Sequence, residues 1–219
     1  RNFDKKVFRT KDRPIASGKV SVKLGIVYSS ILCLLAFFVL INFNILTITL
    51  ALGSMPLAFT YPLMKRYTYW PQLFLGITFN YGLILGWTSI NNEINIVPII
   101  FYIGAIFWTL GYDTIYGFQD IKDDEIIGLK STSIKFKTDA KKFLFICYLI
   151  LIISFIFGGY LMKFKFYYYI FFIFPVIHLF LYQLKIFNQE NPANCLKGFK
   201  SNNFFGFIIF LNILIGKIF

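Results

Sequence analysis

Hydrophobic residues occur along this chain in seven long runs, separated by short polar segments. A bilayer core about 30 Å thick needs roughly 20 apolar residues per helix, and each run has about that length. Lipid cannot satisfy exposed backbone polar groups, and the alternating pattern of a membrane β-barrel does not occur here. The runs therefore predict membrane-spanning helices at residues 22–41, 44–63, 70–90, 96–117, 142–162, 166–187 and 201–219.

Proline and glycine positions fit this helical reading. Pro71 opens the third run and Pro98 lies in the first turn of the fourth, where the missing N–H of proline costs nothing. We expect Gly53, Gly82 and Gly86 to permit close packing of helices. The predicted fold class is all-α, a polytopic transmembrane helical bundle.

Composition and charge support a membrane protein and exclude a nucleic-acid partner. The chain is 58% hydrophobic and only 15% charged, whereas soluble domains carry roughly 25% charged residues. The net charge of +12 comes from Lys and Arg that lie between the apolar runs. Of the 22 basic residues, all but Lys163, Lys165 and Lys217 lie on one side of the predicted bundle. The positive-inside rule predicts that this side is cytosolic, or faces the matrix in a mitochondrion.

The most informative polar segment lies where the fourth run ends. If that helix continues through its polar end, Asp113, Asp120 and Asp124 fall on one face. Asp120 and Asp124 are one turn apart, and like charges at this spacing destabilise a helix by a few tenths of a kcal/mol. A divalent cation would remove that penalty, and carboxylate oxygens suit Mg²⁺. The alternative is an ordinary solvated loop.

Asp113 and two basic clusters extend this candidate site. An ionisable group within an apolar span usually faces the bundle interior, so Asp113 is either functional or a hydrogen-bonded link between helices. The segments 9–14 and 61–66 both combine Arg and Lys. Arginine forks and lysine point charges bind phosphate, although anchoring by the positive-inside rule is the alternative explanation.

Together these segments resemble the UbiA-type prenyltransferase family. Asp120 and Asp124, with Tyr112-Asp113-Thr114 before them and 128–132 (Gly-Leu-Lys-Ser-Thr) after them, resemble its second aspartate-rich motif. The segment 9–18 is similar to the residues that follow the family's first motif, Asn-Asp-x-x-Asp-x-x-x-Asp. Tyr61-x-x-x-Lys65, followed by Arg66, resembles an intervening element. The similarity is greatest to the 4-hydroxybenzoate polyprenyltransferase branch.

The resemblance also implies that part of the protein is missing. The family has nine transmembrane helices, whereas seven are predicted here, and Asp4 aligns with the last aspartate of the first motif. We therefore expect an N-terminally truncated chain. Residues 1–219 would form a single membrane-embedded prenyltransferase domain that lacks the first two helices.

What the resemblance implies for activity is specific. The family transfers a polyprenyl group from polyprenyl diphosphate to the ring carbon ortho to the hydroxyl of 4-hydroxybenzoate, in ubiquinone biosynthesis, with Mg²⁺ as cofactor. The host membrane would be the bacterial inner membrane or the mitochondrial inner membrane. The resemblance assigns catalysis to Asp113, Asp120, Asp124 and Arg66; metal binding to Asp4, Asp120 and Asp124; and substrate binding to Tyr61, Lys65, Arg66, Lys130, Arg9 and Arg13.

Two alternatives stay open at this stage. The first keeps the family and changes the acceptor to haem, a naphthoate or homogentisate. The second is a transporter or channel, which predicts inverted repeats and polar residues near the bilayer midplane. Apart from Asp113, the predicted spans lack midplane charges. Prenyl chain length, oligomeric state and protein partners stay unknown from the sequence.

Overall fold

Helices form nearly all of residues 11–218, the part of the chain that this computed structural model describes. Several start where the sequence supplies a cap: Ser21 and Asn44 accept hydrogen bonds from backbone N–H groups in the first turns of the helices that follow them. The helices are α1 (Pro14–Ser17), α2 (Val22–Leu40), α3 (Ile45–Thr60), α4 (Met64–Tyr67), α5 (Pro71–Asn91), α6 (Ile96–Gly117), α7 (Ile121–Ile127), α8 (Thr132–Lys135), α9 (Ala140–Leu161), α10 (Phe166–Phe171), α11 (Ile173–Val176), α12 (Leu184–Ile186), α13 (Pro192–Lys200) and α14 (Asn202–Ile218).

Seven helical stretches within these residues are long and apolar enough to cross a membrane. A 3₁₀ turn joins α3 to α4, so these two helices form one span. A π-helical segment, Ile177–Gln183, joins α11 to α12, so these two helices belong to one span as well. The predicted all-α polytopic bundle is confirmed. The spans are Val22–Leu40, Ile45–Tyr67, Pro71–Asn91, Ile96–Gly117, Ala140–Leu161, Phe166–Ile186 and Pro192–Ile218.

The last span starts earlier than predicted. We placed its start at residue 201, but α13 begins at Pro192 and is followed almost directly by α14. Asn191 caps α13 by accepting hydrogen bonds from the N–H groups of Ala193 and Asn194, and proline is favoured in the first helical turn. The lysines of α13 obscured this helix in the hydropathy pattern.

The fourth span ends at Gly117, as predicted, and the helix does not continue through the polar segment that follows. The N–H groups of Phe118, Gln119 and Asp120 each bond to a carbonyl three residues earlier, which tightens and ends α6 after Gly117. A separate helix, α7, then starts at Ile121. Asp113, Asp120 and Asp124 therefore do not share one continuous helix, so the condition under which all three would fall on one face is not met. Asp120 and Asp124 nevertheless stay one turn apart, because the Asp124 N–H bonds to the Asp120 carbonyl (2.8 Å).

The core of the bundle lies along α6, between α5 and α9. At Gly104 a Cβ would lie 2.8 Å from the Phe155 ring, and at Gly111 it would lie 2.6 Å from the Tyr148 ring. Glycine at these positions permits α6 and α9 to approach closely. The glycines that we expected to do this were the wrong ones. A Cβ at Gly53, Gly82 or Gly86 would have no contact within 4 Å in the described residues.

Buried polar side chains connect the later helices. The Tyr148 hydroxyl donates to the Gln183 side-chain oxygen, and the Gln183 amide donates to the Ser201 hydroxyl at 3.0 Å. His178 also contacts the Ser201 hydroxyl, at 3.2 Å. These bonds join α9, the π-helical segment and the junction of α13 with α14. They place His178 in a helix-connecting network rather than among the charged residues.

Candidate active site

An ion pair joins two polar segments that are far apart in the chain. The Lys65 ammonium in α4 lies 3.2 Å from the Asp124 carboxylate in α7. The Asp124 side chain is only 3% exposed, whereas that of Lys65 is 42% exposed. A buried carboxylate needs a partner because desolvation of its charge is costly. Lys65 supplies that partner and keeps part of its own charge accessible from outside the protein.

Lys130 lies against the same segment of the chain as Lys65. Its backbone N–H donates to the Lys65 carbonyl at 2.8 Å, and its ammonium donates to the Tyr67 carbonyl at 3.3 Å. The ammonium also lies 5.6 Å from the centre of the Tyr69 ring, within cation–π range. The structure therefore brings Lys65, Asp124 and Lys130 together, and we call these three residues the charged cluster.

The loop that carries Lys130 is attached to α5 and α6 by buried hydrogen bonds. The Gln72 side-chain oxygen accepts from the Thr132 N–H at 3.0 Å. The Thr132 hydroxyl bonds to the Thr114 hydroxyl at 2.6 Å, and the Ser133 hydroxyl donates to the Thr114 carbonyl at 2.8 Å. A satisfied buried network of this kind makes the loop position specific. Its members act on the site by positioning the loop.

The glycine that ends α6 is part of the same attachment. A Cβ at Gly117 would overlap the Ser133 hydroxyl and lie 3.4 Å from the Gln72 amide. A residue with no side chain therefore allows the loop to lie directly on the end of α6. At the other end of the loop, Gly128 ends α7 with a φ of 76°, a left-handed conformation that glycine adopts without strain.

The other predicted site residues lie in or next to the polar ends of the helices, or outside the described residues. Asp120 directly precedes α7 and is half-buried; Asp113 lies in α6, four residues before its end, and is also half-buried. Arg66 is exposed next to Lys65. Two more were assigned to substrate binding: Tyr61 is half-buried at the start of the 3₁₀ turn, and Arg13 is exposed just before α1. Asp4 and Arg9 lie outside the described residues, so their predicted roles stay predictions.

The donor set can be tested against magnesium chemistry. Within residues 11–218, no group of three or more His, Cys, Asp or Glu side chains is arranged to hold a metal ion. Asp120 and Asp124 provide two carboxylates one turn apart. Mg²⁺ usually keeps several waters and binds through one or two carboxylates together with substrate phosphates. Two carboxylates beside the lysines of the charged cluster fit that habit, so these residues suit a Mg²⁺ shared with a phosphate group better than a closed protein site.

Sequence reasoning missed the residues that hold the loop in place: Gln72, Thr114 and Ser133. A signal for one of them was present, since Thr114 is a polar residue in an apolar span and follows Asp113 directly. Gln72 and Ser133 gave no comparable signal, because Gln72 lies at the polar end of the third span and Ser133 lies between spans, where such residues are common. The role of Gln72 depends on a contact 60 positions along the chain, and that of Ser133 on a contact 19 positions away.

Fold and site together define an integral membrane protein with a charged site at one end of a helical bundle. Comparison with known proteins is consistent with this class. The model of the UbiA prenyltransferase family matches residues 1–212. A solved structure of digeranylgeranylglyceryl phosphate synthase superposes with a TM-score of 0.69 at 20% identity, covering 99% of this chain and 77% of that one. At this identity the likeness shows a shared fold.

Sequence relatives are closer. The chain is 41% identical to 4-hydroxybenzoate geranyltransferase 2 of Lithospermum erythrorhizon, over all of this chain and 72% of that protein. It is 42% identical to the mitochondrial 4-hydroxybenzoate polyprenyltransferase of Bos taurus, over all of this chain and 59% of that protein. The chain belongs to the UbiA prenyltransferase family, as its motifs predicted.

Proposed function

We propose that this protein transfers a prenyl group from a prenyl diphosphate to the ring carbon ortho to the hydroxyl of 4-hydroxybenzoate. The observation that carries the proposal is the charged cluster, in which two lysines and a buried carboxylate lie at one end of an apolar bundle. Both relatives compared above are named for 4-hydroxybenzoate as acceptor. An apolar bundle suits the prenyl tail, and a charged end suits the diphosphate.

The chemistry breaks one bond and forms another. The C1–O bond of the allylic diphosphate breaks, and the electron pair leaves with the diphosphate. The ortho carbon of the acceptor forms the new C–C bond with C1, and loss of the proton from that carbon restores aromaticity. Lys65 and Lys130 stabilise the charge that develops on the departing diphosphate. No redox partner is required.

The proposal gives the remaining site residues distinct roles. Arg66, exposed beside Lys65, binds the acceptor carboxylate, because a guanidinium fork matches a carboxylate with two hydrogen bonds. Asp113 orients the phenol or accepts the ring proton. Tyr61, half-buried at the start of the 3₁₀ turn, contributes to the substrate surface.

Magnesium is the proposed cofactor. Asp120 and Asp124 would hold it, with Asp4 as a further ligand by family resemblance. When bound, the ion supplies Lewis-acid stabilisation of phosphate charge. The Lys65 ammonium lies 3.2 Å from the Asp124 carboxylate, so its positive charge offsets the cost of burying that carboxylate.

The proposal has two forms, which differ in the length of the prenyl diphosphate donor. The Lithospermum erythrorhizon relatives are named geranyltransferases, whereas the mitochondrial relatives are named polyprenyltransferases. We propose a polyprenyl donor and a place in ubiquinone biosynthesis, because the family branch that the motifs resemble uses such donors. The host membrane would be a bacterial inner membrane or the mitochondrial inner membrane, with the site on the cytosolic or matrix side.

The acceptor and the metal can be tested in one experiment. Membranes that contain the protein, expressed from its complete gene, are incubated with radiolabelled geranyl or longer prenyl diphosphates and one acceptor at a time. We expect labelled product with 4-hydroxybenzoate and Mg²⁺, and loss of product when EDTA chelates the metal. Product with homogentisate or a naphthoate, and none with 4-hydroxybenzoate, would refute the acceptor assignment. Full activity in EDTA would refute the metal.

Arg66→Ala is expected to raise the KM for 4-hydroxybenzoate by about tenfold or more and to leave kcat largely unchanged. The reason is that a group that binds substrate and transition state equally affects KM alone. Steady-state kinetics with a saturating donor measures both constants. Arg66→Lys serves as the control, because it keeps the charge but loses the fork and should recover only part of the affinity. A fall in kcat alone would assign Arg66 to the departing diphosphate instead.

A further inference from the structure

A second basic surface lies outside the charged cluster, at the same end of the bundle. Residues at the start of α9 and between α12 and α13 enclose a polar pocket of about 810 Å³. Four lysines line it: Lys141 and Lys142 from α9, Lys185 from α12 and Lys197 from α13. We call it the lysine pocket. Its walls are the ends of three different helices.

Among residues 11–218, no ion pair balances the charge of the lysine pocket. Lys65–Asp124 and Lys137–Glu125 are ion pairs in the described residues, and neither involves a lysine of the pocket. Asp139 and Glu190 also line the pocket, but two carboxylates leave an excess of positive charge over four lysines. The Asp139 carboxylate accepts a hydrogen bond from the Thr138 hydroxyl at 3.0 Å, which uses part of its capacity. The pocket therefore favours an anion.

The surface next to the lysines is apolar and exposed. Phe145 and Leu149 follow Lys141 at intervals of one helical turn on α9, and their exposed fractions are 47% and 42%. On the other wall, Leu181 precedes Lys185 by four residues and is 65% exposed. The two walls touch where the Phe145 and Phe180 rings pack edge to face at 5.1 Å. A basic pocket thus continues directly into a lipid-facing apolar strip.

We propose that the lysine pocket binds the phosphate headgroup of an anionic phospholipid of the adjacent leaflet, with an acyl chain along Phe145 and Leu149. Basic pockets between membrane-spanning helices are suited to such headgroups, and each lysine near an anionic lipid changes affinity by roughly fivefold. The apolar strip commits the proposal to a lipid rather than a soluble phosphate. It is independent of the prenyl-transfer proposal, since lipid binding requires no turnover.

Native mass spectrometry of the purified chain in a non-ionic detergent tests this proposal. The double variant Lys141→Gln/Lys185→Gln removes one lysine from each wall. The matched control, Lys163→Gln/Lys165→Gln, removes two lysines from the connection that follows the opposite end of α9. Dioleoylphosphatidylglycerol is titrated, with dioleoylphosphatidylcholine as the uncharged comparison and glycerol 3-phosphate as a soluble competitor. Circular dichroism confirms that both variants keep their helix content.

The expected result is a loss of about tenfold or more in phosphatidylglycerol affinity for the pocket variant, with no change for the control. Phosphatidylcholine should bind more weakly and without dependence on the lysines. Equal loss in both variants would show only general electrostatic attraction and would overturn the proposal. Full displacement of the lipid by millimolar glycerol 3-phosphate would overturn it in favour of a soluble phosphate site. If the double variant fails to fold, the single variant Lys185→Gln in the same titration decides, with an expected loss of about fivefold.

Discussion

Asp124→Asn is expected to lower the kcat of prenyl transfer on the order of 10²–10³-fold, the range for loss of one preorganised charge-stabilising group. Asparagine keeps the shape of the side chain but removes the charge that Lys65 faces at 3.2 Å and that would hold Mg²⁺. The measurement is steady-state transfer to 4-hydroxybenzoate in membranes that contain protein from the complete gene. A shift to a higher Mg²⁺ requirement would accompany the loss.

The adjacent residue offers the matched control for this substitution. Glu125 is exposed and pairs with Lys137 at 2.8 Å, away from the charged cluster. Glu125→Gln removes the same charge one position along the same helix, and exposed ion pairs contribute little to stability, so kcat should stay within about twofold. If Asp124→Asn retained full activity, or if both variants lost activity equally, the role given to Asp124 would be wrong.

Gly117→Ala is expected to reduce activity strongly although Gly117 contacts no substrate in the proposed mechanism. The new methyl group would overlap the Ser133 hydroxyl, which is held by the Thr114 carbonyl at 2.8 Å. Overpacking of this kind typically costs about 1–3 kcal/mol, and here it displaces the loop that carries Lys130. The expected outcome is a loss of transfer, measured as kcat/KM for the donor, together with a lower unfolding temperature.

A second substitution that restores the space next to residue 117 distinguishes this specific overlap from a general loss of folding. Gly117→Ala/Ser133→Ala removes the overlapping hydroxyl, and we expect it to recover much of the lost activity. Gly82→Ala is the control for adding a methyl group to a helix, because a Cβ there has no contact within 4 Å among the described residues. It should leave activity unchanged. Failure of the double variant to recover would contradict the proposed contact.

Much of the fold was predictable because a membrane-spanning helix needs a run of about 20 apolar residues, and such runs are visible in the sequence. Lipid forces every backbone bond to be satisfied within the helix, so long apolar runs have few alternatives. The errors occurred at helix ends, where local bonds compete. The end of α6 at Gly117 agrees with the predicted span, but the break between α6 and α7 depends on three backbone bonds that hydropathy does not report, and the start of α13 depends on the Asn191 cap.

The site was predictable in part. Lys65, Lys130 and Asp124 were expected to act together, and the structure places them together. That expectation came from a motif resemblance, because no local pattern links residues about 60 positions apart. Sequence analysis missed Gln72 and Ser133 because no motif resemblance gave either residue a role. Each is an ordinary polar residue whose importance comes from a partner in another segment, and a single sequence does not identify that partner.

The hydrogen bond from the Lys130 N–H to the Lys65 carbonyl has a consequence for engineering. It uses the backbones of both segments, so changes in side chains at either position do not remove it. We therefore expect the stretch from Tyr61 to Tyr67 and the stretch from Asp124 to Ser133 to need exchanging together in an engineered protein. A chimera that takes only one of these stretches from a relative should lose the fit between the two. A chimera that takes both from the same relative should keep it.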